Sequence, residues 1–521
     1  MRYLFFLGAM LLSYSSSWAQ AEDLKVRAVI QQFIDGTVYN YPDKIESAFY
    51  ADADMFLYND ADTLLIMSPA QYAALYDNGR ARQRNGRYNS IVDLDIKLDV
   101  AYAKLQVDIP SFGRRFYDFL LLKKIAGEWK IVAKCTSAEP IPKERLPLPK
   151  KETVIDGLAK PWSMAFLSEY DAIVAEKDAG LTRVNLRNKE RQSIQGLPDD
   201  IGRAIYIDTT AHKSGIYPKN AHGKTLSFNA GLFQILLDPN FEDNKYIYLS
   251  YTATPDQKRF ALKVIRARLT DNELKDIEVL LEAAPYTPGL FHFGGGMIFG
   301  NDGKLYITTG DRHYYEYNNP SVPTAQDVSD PKGKIFRINS DGSIPDDNPD
   351  FGENAMPGLY AIGIRAAQGL ILRPGSDQIW FTEHGTLQGD EINLLKVGAN
   401  YGWPYQTSGR YRTKDFDIAP ATDIDFTEPI YHWEKTVAPT GPTFYTGNEL
   451  KQWQSDMVVP GLSKGSLWRL QLTDDTITSV EELFVDDRVR LRKAVMSPRG
   501  KLYLLTDEEN GRIIRVLPES D

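Results

Sequence analysis

His292 and Asp311 are the residues of this chain whose types and spacing best suit proton transfer. They bound the stretch His292-Phe-Gly-Gly-Gly-Met-Ile-Phe-Gly-Asn-Asp-Gly-Lys-Leu-Tyr-Ile-Thr-Thr-Gly-Asp311, in which an Asn-Asp-Gly turn separates two apolar runs. A hairpin built on such a turn brings its first and last polar groups to one edge of the sheet. There a carboxylate can orient an imidazole as a general base. Taken alone, this histidine fits a structural role better, and it is the rest of the chain that favours chemistry.

Strand patterns recur from about Glu152 to the end of the chain. Several share an apolar strand, a turn rich in Pro, Asp or Gly and an aromatic strand, as in ILLDPNFEDNKYIYLSYT, MIFGNDGKLYITTGD, LILRPGSDQIWFTEHG and VMSPRGKLYLLTDEENGRIIRVL. Repeats of tens of residues with four short strands each predict a β-propeller, and a stack of β-sandwiches is the alternative. Loops from many blades meet on a propeller axis, so residues distant in the chain can share one site.

The region before these repeats has a different spacing of apolar residues. Apolar residues at helical spacing predict a first helix that contains Leu24, Val26, Val29, Ile30, Phe33 and Ile34, and shorter helices are predicted at Asp43–Phe49 and after Ser68. The strands predicted after them are Ile91–Leu98, Ala101–Ile109, Phe116–Ile125 and Trp129–Cys135, the last two joined by a turn at Ala126-Gly127-Glu128. This order is typical of an α+β domain. Asp52, Asp54 and Tyr58 are candidates for a pocket, although a solvated loop fits them better.

Composition and termini narrow the class of protein. The chain has 521 residues and a net charge of −10, which argues against a nucleic-acid partner. Residues 1–21 read as a signal peptide, and no later apolar run is long enough to span a membrane, so we expect a periplasmic or secreted protein. The single cysteine, Cys135, is expected to be buried and inert. We divide the chain into a signal peptide (1–21), an α+β domain (22–139), a proline-rich linker (140–151) and the strand-repeat domain (152–521).

Residues of about 152–518 resemble the glucose/sorbosone dehydrogenase family, which includes soluble quinoprotein glucose dehydrogenases and aldose sugar dehydrogenases. Besides the His292 stretch, the resemblance is carried by segments that begin at Pro161, Gly231, Gly333, Gly363, Glu383 and Asn400. The front region is similar to cone-shaped nuclear-transport-factor-like domains of the SnoaL-like and lumazine-binding-like group, through its element order and through VRAVIQQFIDG and FYADADMFLYN. Together these resemblances imply a mainly β fold, a six-bladed β-propeller preceded by a small α+β cone-shaped domain.

The family resemblance implies a function. It implies that the protein binds pyrroloquinoline quinone (PQQ) and Ca²⁺ on the propeller axis, oxidises an aldose sugar or related alcohol and passes the electrons to an external acceptor. It makes His292 the catalytic base, Asp311 its neighbour and Arg365 a contact to the quinone. The other implied positions are Gln368, Thr436, Arg490, Arg492 and Lys464 at the cofactor, Asn229, Asp390 and His384 at the substrate, the carbonyls of Gly385 and Thr386 at the cofactor's calcium, and Glu391 with the carbonyl of Tyr401 at a second, structural calcium.

These residue types suit that chemistry. PQQ carries three carboxylates, and arginine meets a carboxylate with two parallel hydrogen bonds. Ca²⁺ prefers oxygen ligands, including backbone carbonyls, and can polarise a quinone as a Lewis acid. A base that removes a hydroxyl proton near neutral pH is in histidine's range. The cofactor carries out the redox chemistry, while the protein supplies position and charge.

Three departures from the family pattern leave an alternative open. Ala366 and Ala367 stand where the family has Asn and Pro, Thr386 stands where it has Pro, and Ser463 stands where it has Lys. Lys464 comes one residue late, which on a strand would turn its side chain to the other face. Losing an amide and an amine would cost about 1–3 kcal/mol of cofactor binding each. The alternatives are therefore a binding or scaffold propeller that has lost the quinone, with the front domain as a ligand pocket or homodimer interface, and a calcium-dependent hydrolase.

Overall fold

The structure, a computed structural model, is mainly β, with 48% strand and 9% helix. It describes residues 22–519 apart from 60–62, 82–83, 144–145, 179, 204–228, 289–290, 313–322, 411–423, 464 and 486. The predicted signal peptide lies outside these residues. The chain divides into two compact units, one of Met1–Pro149, Arg469–Asp486 and Pro518–Asp521, the other of Lys150–Trp468 and Asp487–Leu517. None of the described helices is long and apolar enough to cross a membrane.

The described residues of the front region form three α-helices and a six-stranded sheet. The helices are α1 (22–39), α2 (Pro42–Ala48) and α3 (Pro69–Ala74). The strands are β1 (Phe49–Leu57), β2 (Leu65–Met67), β3 (Tyr88–Lys97), β4 (Val100–Ile109), β5 (Arg114–Ile125) and β6 (Glu128–Pro140), in the sheet order β2-β1-β6-β5-β4-β3. The α1 residues Val26, Ile30, Phe33 and Ile34 are all buried, which is the apolar face that their spacing predicts.

Two expectations for this region were wrong. Cys135 is exposed, because a register shift at Val132 in β6 interrupts the strand alternation, so that Lys134 and not Cys135 is buried like Ile131. Asp52 and Asp54 are not in a loop but on β1, where they are exposed and alternate with the buried Ala53 and Met55. The sequence pattern of β1 is therefore the ordinary one of a half-buried strand.

The described residues of the second region form six four-stranded sheets, here numbered 1 to 6. Sheets 1 to 3 are β8 (Pro161–Phe166), β9 (Asp171–Glu176), β10 (Gly180–Asn185) and β11 (Arg191–Ile194); β12 (Leu232–Leu237), β13 (Tyr246–Ala253), β14 (Ala261–Thr270) and β15 (Glu273–Glu282), with a short helix α4 (Phe241–Asn244); and β16 (Gly294–Phe299), β17 (Leu305–Thr309), β18 (Lys334–Ile338) and β19 (Leu359–Ile362).

Sheets 4 to 6 are β20 (Ala367–Leu372), β21 (Ile379–Glu383), β22 (Asp390–Leu394) and β23 (Tyr431–Trp433); β24 (Thr443–Phe444), β25 (Met457–Pro460), β26 (Leu467–Thr473) and β27 (Thr476–Leu483); and β28 (Leu491–Met496), β29 (Leu502–Thr506) and β30 (Gly511–Pro518), closed by β7 (Pro149–Leu158). The sixth sheet thus takes its outer strand from the start of the region. β7 begins inside the stretch predicted as a linker, and an edge strand is where prolines are tolerated.

The first strands of these sheets pack against one another. β8 contacts β12 and β28, and β16 contacts β12 and β20. At the next junction a Cβ added to Gly369 on β20 would lie 2.5 Å from the ring of Pro442, so only glycine lets the chains approach there. This packing brings the ends of several first and second strands, and the loops after them, to one central region.

Candidate active site

His292 and Asp311 meet at the open end of the β16–β17 hairpin. His292 lies two residues before β16, Asp311 lies two residues after β17, and Gly294 pairs with Thr309 between them. Nδ1 of His292 is 2.7 Å from Oδ1 of Asp311, whose side chain is fully buried. Because an ionised carboxylate can only accept, Nδ1 carries the proton and Nε2 keeps its lone pair. The imidazole is therefore set up to accept a proton at Nε2.

Gly310 lets the two strand ends come this close. A Cβ on Gly310 would lie 2.0 Å from the carbonyl oxygen of His292. We expect Gly310→Ala to push His292 away from Asp311, to cost about 1–3 kcal/mol of folding stability and to abolish most activity. Guanidinium denaturation and turnover measurements check this. Gly296→Ala is the control, because its Cβ would come no closer than 3.2 Å to another group, the Thr308 hydroxyl. Equal behaviour of the two variants would contradict the prediction.

Trp403 holds the other oxygen of Asp311. Its indole Nε1 donates to Oδ2 over 2.8 Å, and its ring lies 5.2 Å from the guanidinium carbon of Arg365. The backbone N–H of Asp311 also donates to the carbonyl of Arg365, over 2.8 Å. Both carboxylate oxygens thus have fixed partners, and the histidine dyad is joined to Arg365 through Trp403.

Arg365 lies against the loop that follows β21. Its Nη1 donates to the carbonyls of His384, over 3.2 Å, and Gly385, over 2.6 Å. His384 itself contacts the carbonyl of Pro439 through Nε2, over 2.9 Å. Burial lowers the pKa of His384 to about 4, and Arg492 and Arg365 add to this while Asp390 opposes it. His384 is therefore a neutral group placed between the two arginines.

Asp507 organises the second group of cations. One of its carboxylate oxygens accepts hydrogen bonds from Nε (3.0 Å) and Nη2 (2.8 Å) of Arg490. The other oxygen accepts a hydrogen bond from Nη2 of Arg492 (2.9 Å). Arg492 also donates to Oε1 of Gln368 over 3.3 Å. Although burial raises it, the pKa of Asp507 is held well below its ordinary value by Arg492, Arg490 and Lys177. Three cations around one carboxylate leave a net positive site.

Two family models match the chain. Residues 158–515 match the model described as Glucose / Sorbosone dehydrogenase, and residues 21–136 match the model described as Putative lumazine-binding. The chain belongs to the glucose/sorbosone dehydrogenase family. The resemblances stated from the sequence are thereby confirmed.

Relatives of known kind agree with this. An aldose sugar dehydrogenase of Escherichia coli is 31% identical over 374 residues, which are 71% of this chain and 93% of the relative. A quinoprotein glucose dehydrogenase B of Acinetobacter calcoaceticus is 25% identical over 433 residues, 68% and 85% of the two chains. The solved apo-form of the soluble E. coli aldose sugar dehydrogenase superposes with a TM-score of 0.62 at 29% identity, over 71% of this chain and 100% of that one. The second region is thus a sugar dehydrogenase domain with a β-propeller-like fold.

The structure brings most of the predicted site residues of this family member together. His292, Asp311 and Arg365 form one connected group, and His384 and Asp390 adjoin it through the Gly385 loop. Gln368, Arg490 and Arg492 form the group around Asp507. Asn229 is connected to this group through Lys177, whose Nζ donates to Oδ1 of Asn229 over 2.9 Å. Burial lowers the pKa of Lys177 to about 8, and Asp507 opposes that effect.

Other predicted residues have different surroundings. Asp390 was predicted at the substrate, but its buried carboxylate accepts the backbone N–H groups of Gly385, Val437 and Ala438 over 2.7–2.8 Å, so it holds two loops together. The hydroxyl of Thr436 donates to the carbonyl of Leu387, and that of Thr386 to the carbonyl of Arg410. Lys464 lies outside the described residues.

Glu391 lies beside a carboxylate that the sequence reasoning missed. Glu391 on β22 is directly opposite Glu383 on β21. Burial, and then the charge of Glu391, raise the pKa of Glu383 to about 8, so the pair keeps a proton at neutral pH. Tyr401, predicted with Glu391, packs its ring against Phe381 at 4.9 Å and donates its hydroxyl to the carbonyl of Leu394.

Asp507 and Lys177, which the sequence analysis also missed, share a sequence signal with Asp311 and Glu383. Each lies at or just beyond the end of the second strand of a four-stranded sheet: Glu383 is the last residue of β21, Lys177 and Asp507 directly follow β9 and β29, and Asp311 lies two residues after β17. A search for charged residues at these strand ends would have identified Asp507 and Lys177. Trp403 has no such signal beyond its place in the Asn400–Pro404 motif.

Proposed function

We propose that this protein is an exported PQQ-dependent dehydrogenase that oxidises an aldose sugar or related alcohol. The six four-stranded sheets are then the blades of a six-bladed β-propeller, the front region is a cone-shaped domain, and residues 1–21 direct export. The observation that carries the proposal is the His292–Asp311–Trp403 chain of contacts next to Arg365. The quinoprotein name of the Acinetobacter relative supports the choice of cofactor.

The residues present fit a tricarboxylated quinone. Arg490, Arg492 and Lys177 all interact with the carboxylate of Asp507, and Arg492 is oriented by Gln368. These side chains would hold the cofactor carboxylates, and Arg365 would contact it from the side of the histidine. Ala366 is fully buried and offers no amide, which is the observation that favours the alternative of a non-catalytic scaffold.

His292 performs the proton transfer in this proposal. Its Nε2 accepts the hydroxyl proton of the sugar, and the resulting imidazolium is stabilised by the buried Asp311. The hydrogen bond from Trp403 restricts rotation of that carboxylate, so it stays directed at His292. When bound, PQQ supplies the two-electron acceptor for the hydrogen that leaves the sugar carbon. The positive charge of Arg365 faces the same space and favours negative charge that develops there.

Calcium fits less well. The carbonyl of Gly385, predicted to bind Ca²⁺, accepts Nη1 of Arg365 over 2.6 Å. A guanidinium and a divalent cation on one carbonyl repel each other, so calcium binding there requires Arg365 to withdraw. We therefore assign no step to a metal ion.

Reconstitution tests the function directly. Purified protein is titrated with PQQ, with and without Ca²⁺, and dye reduction is followed with a panel of aldoses and their matched alditols. Saturable PQQ binding together with aldose-dependent dye reduction supports the proposal. Binding without turnover of any sugar favours the scaffold alternative, and no PQQ binding overturns the proposal. Turnover of a lactone or phosphoester without PQQ would indicate the hydrolase instead.

Trp403→Phe is expected to lower kcat about tenfold and leave KM unchanged. It removes a hydrogen bond to a charged group, worth about 1.5–3 kcal/mol, of which part is transmitted to the transition state. The variant should also lose the single tautomer of His292, which ¹⁵N NMR detects without any cofactor, since the chain has only six histidines. Trp453→Phe, another buried tryptophan, is the control for packing. An unchanged His292 tautomer would contradict a positioning role.

A further inference from the structure

The front domain contains a cavity of about 170 Å³. Its walls are apolar and include Leu57, Met67, Val107 and Phe116, with the ring of Tyr58 beside Phe116 at 6.2 Å. The side chains of Leu65 and Leu75 also line it and are 37% and 58% exposed, so the cavity opens to solvent between β2 and α3. A space of this kind suits a small apolar body.

The inner end of the cavity is charged. Nζ of Lys134 lies 2.7 Å from Oδ1 of Asp118, and both side chains are almost fully buried, at 2% and 5% exposure. Lys134 also donates to the hydroxyl of Thr136 over 2.6 Å and lies 5.3 Å from the ring centroid of Tyr72. Burying two such charges costs several kcal/mol each, and apolar residues of the same size would often be at least as stable. The pair is therefore poorly explained as a stabilising element of the core.

A second cationic side chain makes the net charge of the cavity lining positive. Arg87 lines the same space, with its guanidinium carbon 5.3 Å from the ring centroid of Tyr76. Among the lining residues the charged side chains are Arg87, Lys134 and Asp118, so positive charges exceed negative ones by one. An occupant with a single negative charge would balance this lining, whereas a cation would add to its excess.

The volume limits the occupant. A closed apolar cavity of about 150 Å³ accommodates benzene. At about 170 Å³ this cavity holds one aromatic ring, and a carboxylate on that ring would reach the charged end. We propose that the front domain binds a small monocarboxylate with an aromatic or similarly compact apolar body, its carboxylate at Arg87 and Lys134 and its ring between Val107 and Phe116. This site is independent of the proposed dehydrogenase activity.

Benzoate, benzamide and benzylamine, matched in size but differing in charge, test the proposal on the full-length protein by calorimetry and ligand-observed NMR. Lumazine is included because of the family description of this domain. Benzoate should bind at least tenfold more tightly than benzamide, and benzylamine should not bind. Benzamide binding as tightly as benzoate, or lumazine alone binding, would overturn the anion assignment. No binding of any probe would overturn the site.

Two variants test whether benzoate binds inside the cavity. Val107→Phe fills it from β4 and should abolish benzoate binding, while Val100→Phe on the exposed start of the same strand should not. Arg87→Gln should weaken benzoate at least tenfold and leave benzamide unchanged, with Lys104→Gln on the opposite face as its control. Melting curves verify folding. If Val107→Phe fails to fold, Arg87→Gln still decides, because unchanged benzoate affinity there would refute the proposal.

Discussion

Replacement of His292 by glutamine is expected to lower kcat for sugar oxidation about 10²–10⁴-fold, the usual contribution of a positioned general base. Glutamine can keep a hydrogen bond to Asp311, so the loss isolates the proton acceptor at Nε2. Affinity for PQQ should be unchanged, because the cofactor carboxylates are assigned to Arg490, Arg492 and Lys177. Steady-state dye reduction measures the first effect, and fluorescence titration with PQQ measures the second.

The control for this variant is His432→Gln. His432 lies on β23 opposite Glu391, with Nε2 3.4 Å from Glu434. It should retain full activity. If His292→Gln also keeps most of its activity while PQQ binding is saturated, another group removes the proton and the assignment of His292 as the base is wrong.

Replacement of Asp507 by asparagine is expected to lower the free energy of unfolding by about 3 kcal/mol, the lower end of what breaking a buried ion pair costs. The loss comes mainly from Arg492, which is 4% exposed, since Arg490 is half exposed and its pair with Asp507 is screened. Guanidinium denaturation measures it. Glu509→Gln, an exposed carboxylate two residues away, is the control and should change stability little.

The pH dependence of that difference provides a second check. The pKa of Asp507 is held well below its ordinary value in the folded protein. A depressed carboxylate pKa stabilises the folded state fully above the unfolded pKa of about 3.9, and this contribution is lost as the pH falls below it. The stability gap between the parent and Asp507→Asn should therefore be full at pH 7 and shrink below pH 4. A constant gap at all pH values would show that packing, not charge, is responsible.

Much of the fold was predictable because the spacing of apolar residues along the chain shows which face of a helix or strand is buried. The apolar spacing in α1 and the strand–turn–strand phrases of the second region needed no partner to be recognised, since each is set by one face of one element. β1 and β7 were missed for opposite reasons. β1 carries exposed aspartates between its buried residues, and β7 is an edge strand whose proline and lysines read as a linker.

By itself the sequence determined which chemistry-bearing residues exist and that His292 and Asp311 end one hairpin, because a tight turn and strand pairing are local. Only the tertiary structure decided what lies around them. Trp403 meets Asp311 across 92 residues of chain, and Arg492 meets Gln368 across 124. Such contacts depend on how whole sheets pack, as they do at Gly369, and no local pattern encodes that arrangement. The Gly385 carbonyl, which the sequence assigned to calcium, accepts Nη1 of Arg365 at the open end of the β20–β21 hairpin, and only the structure showed that the arginine turns toward it.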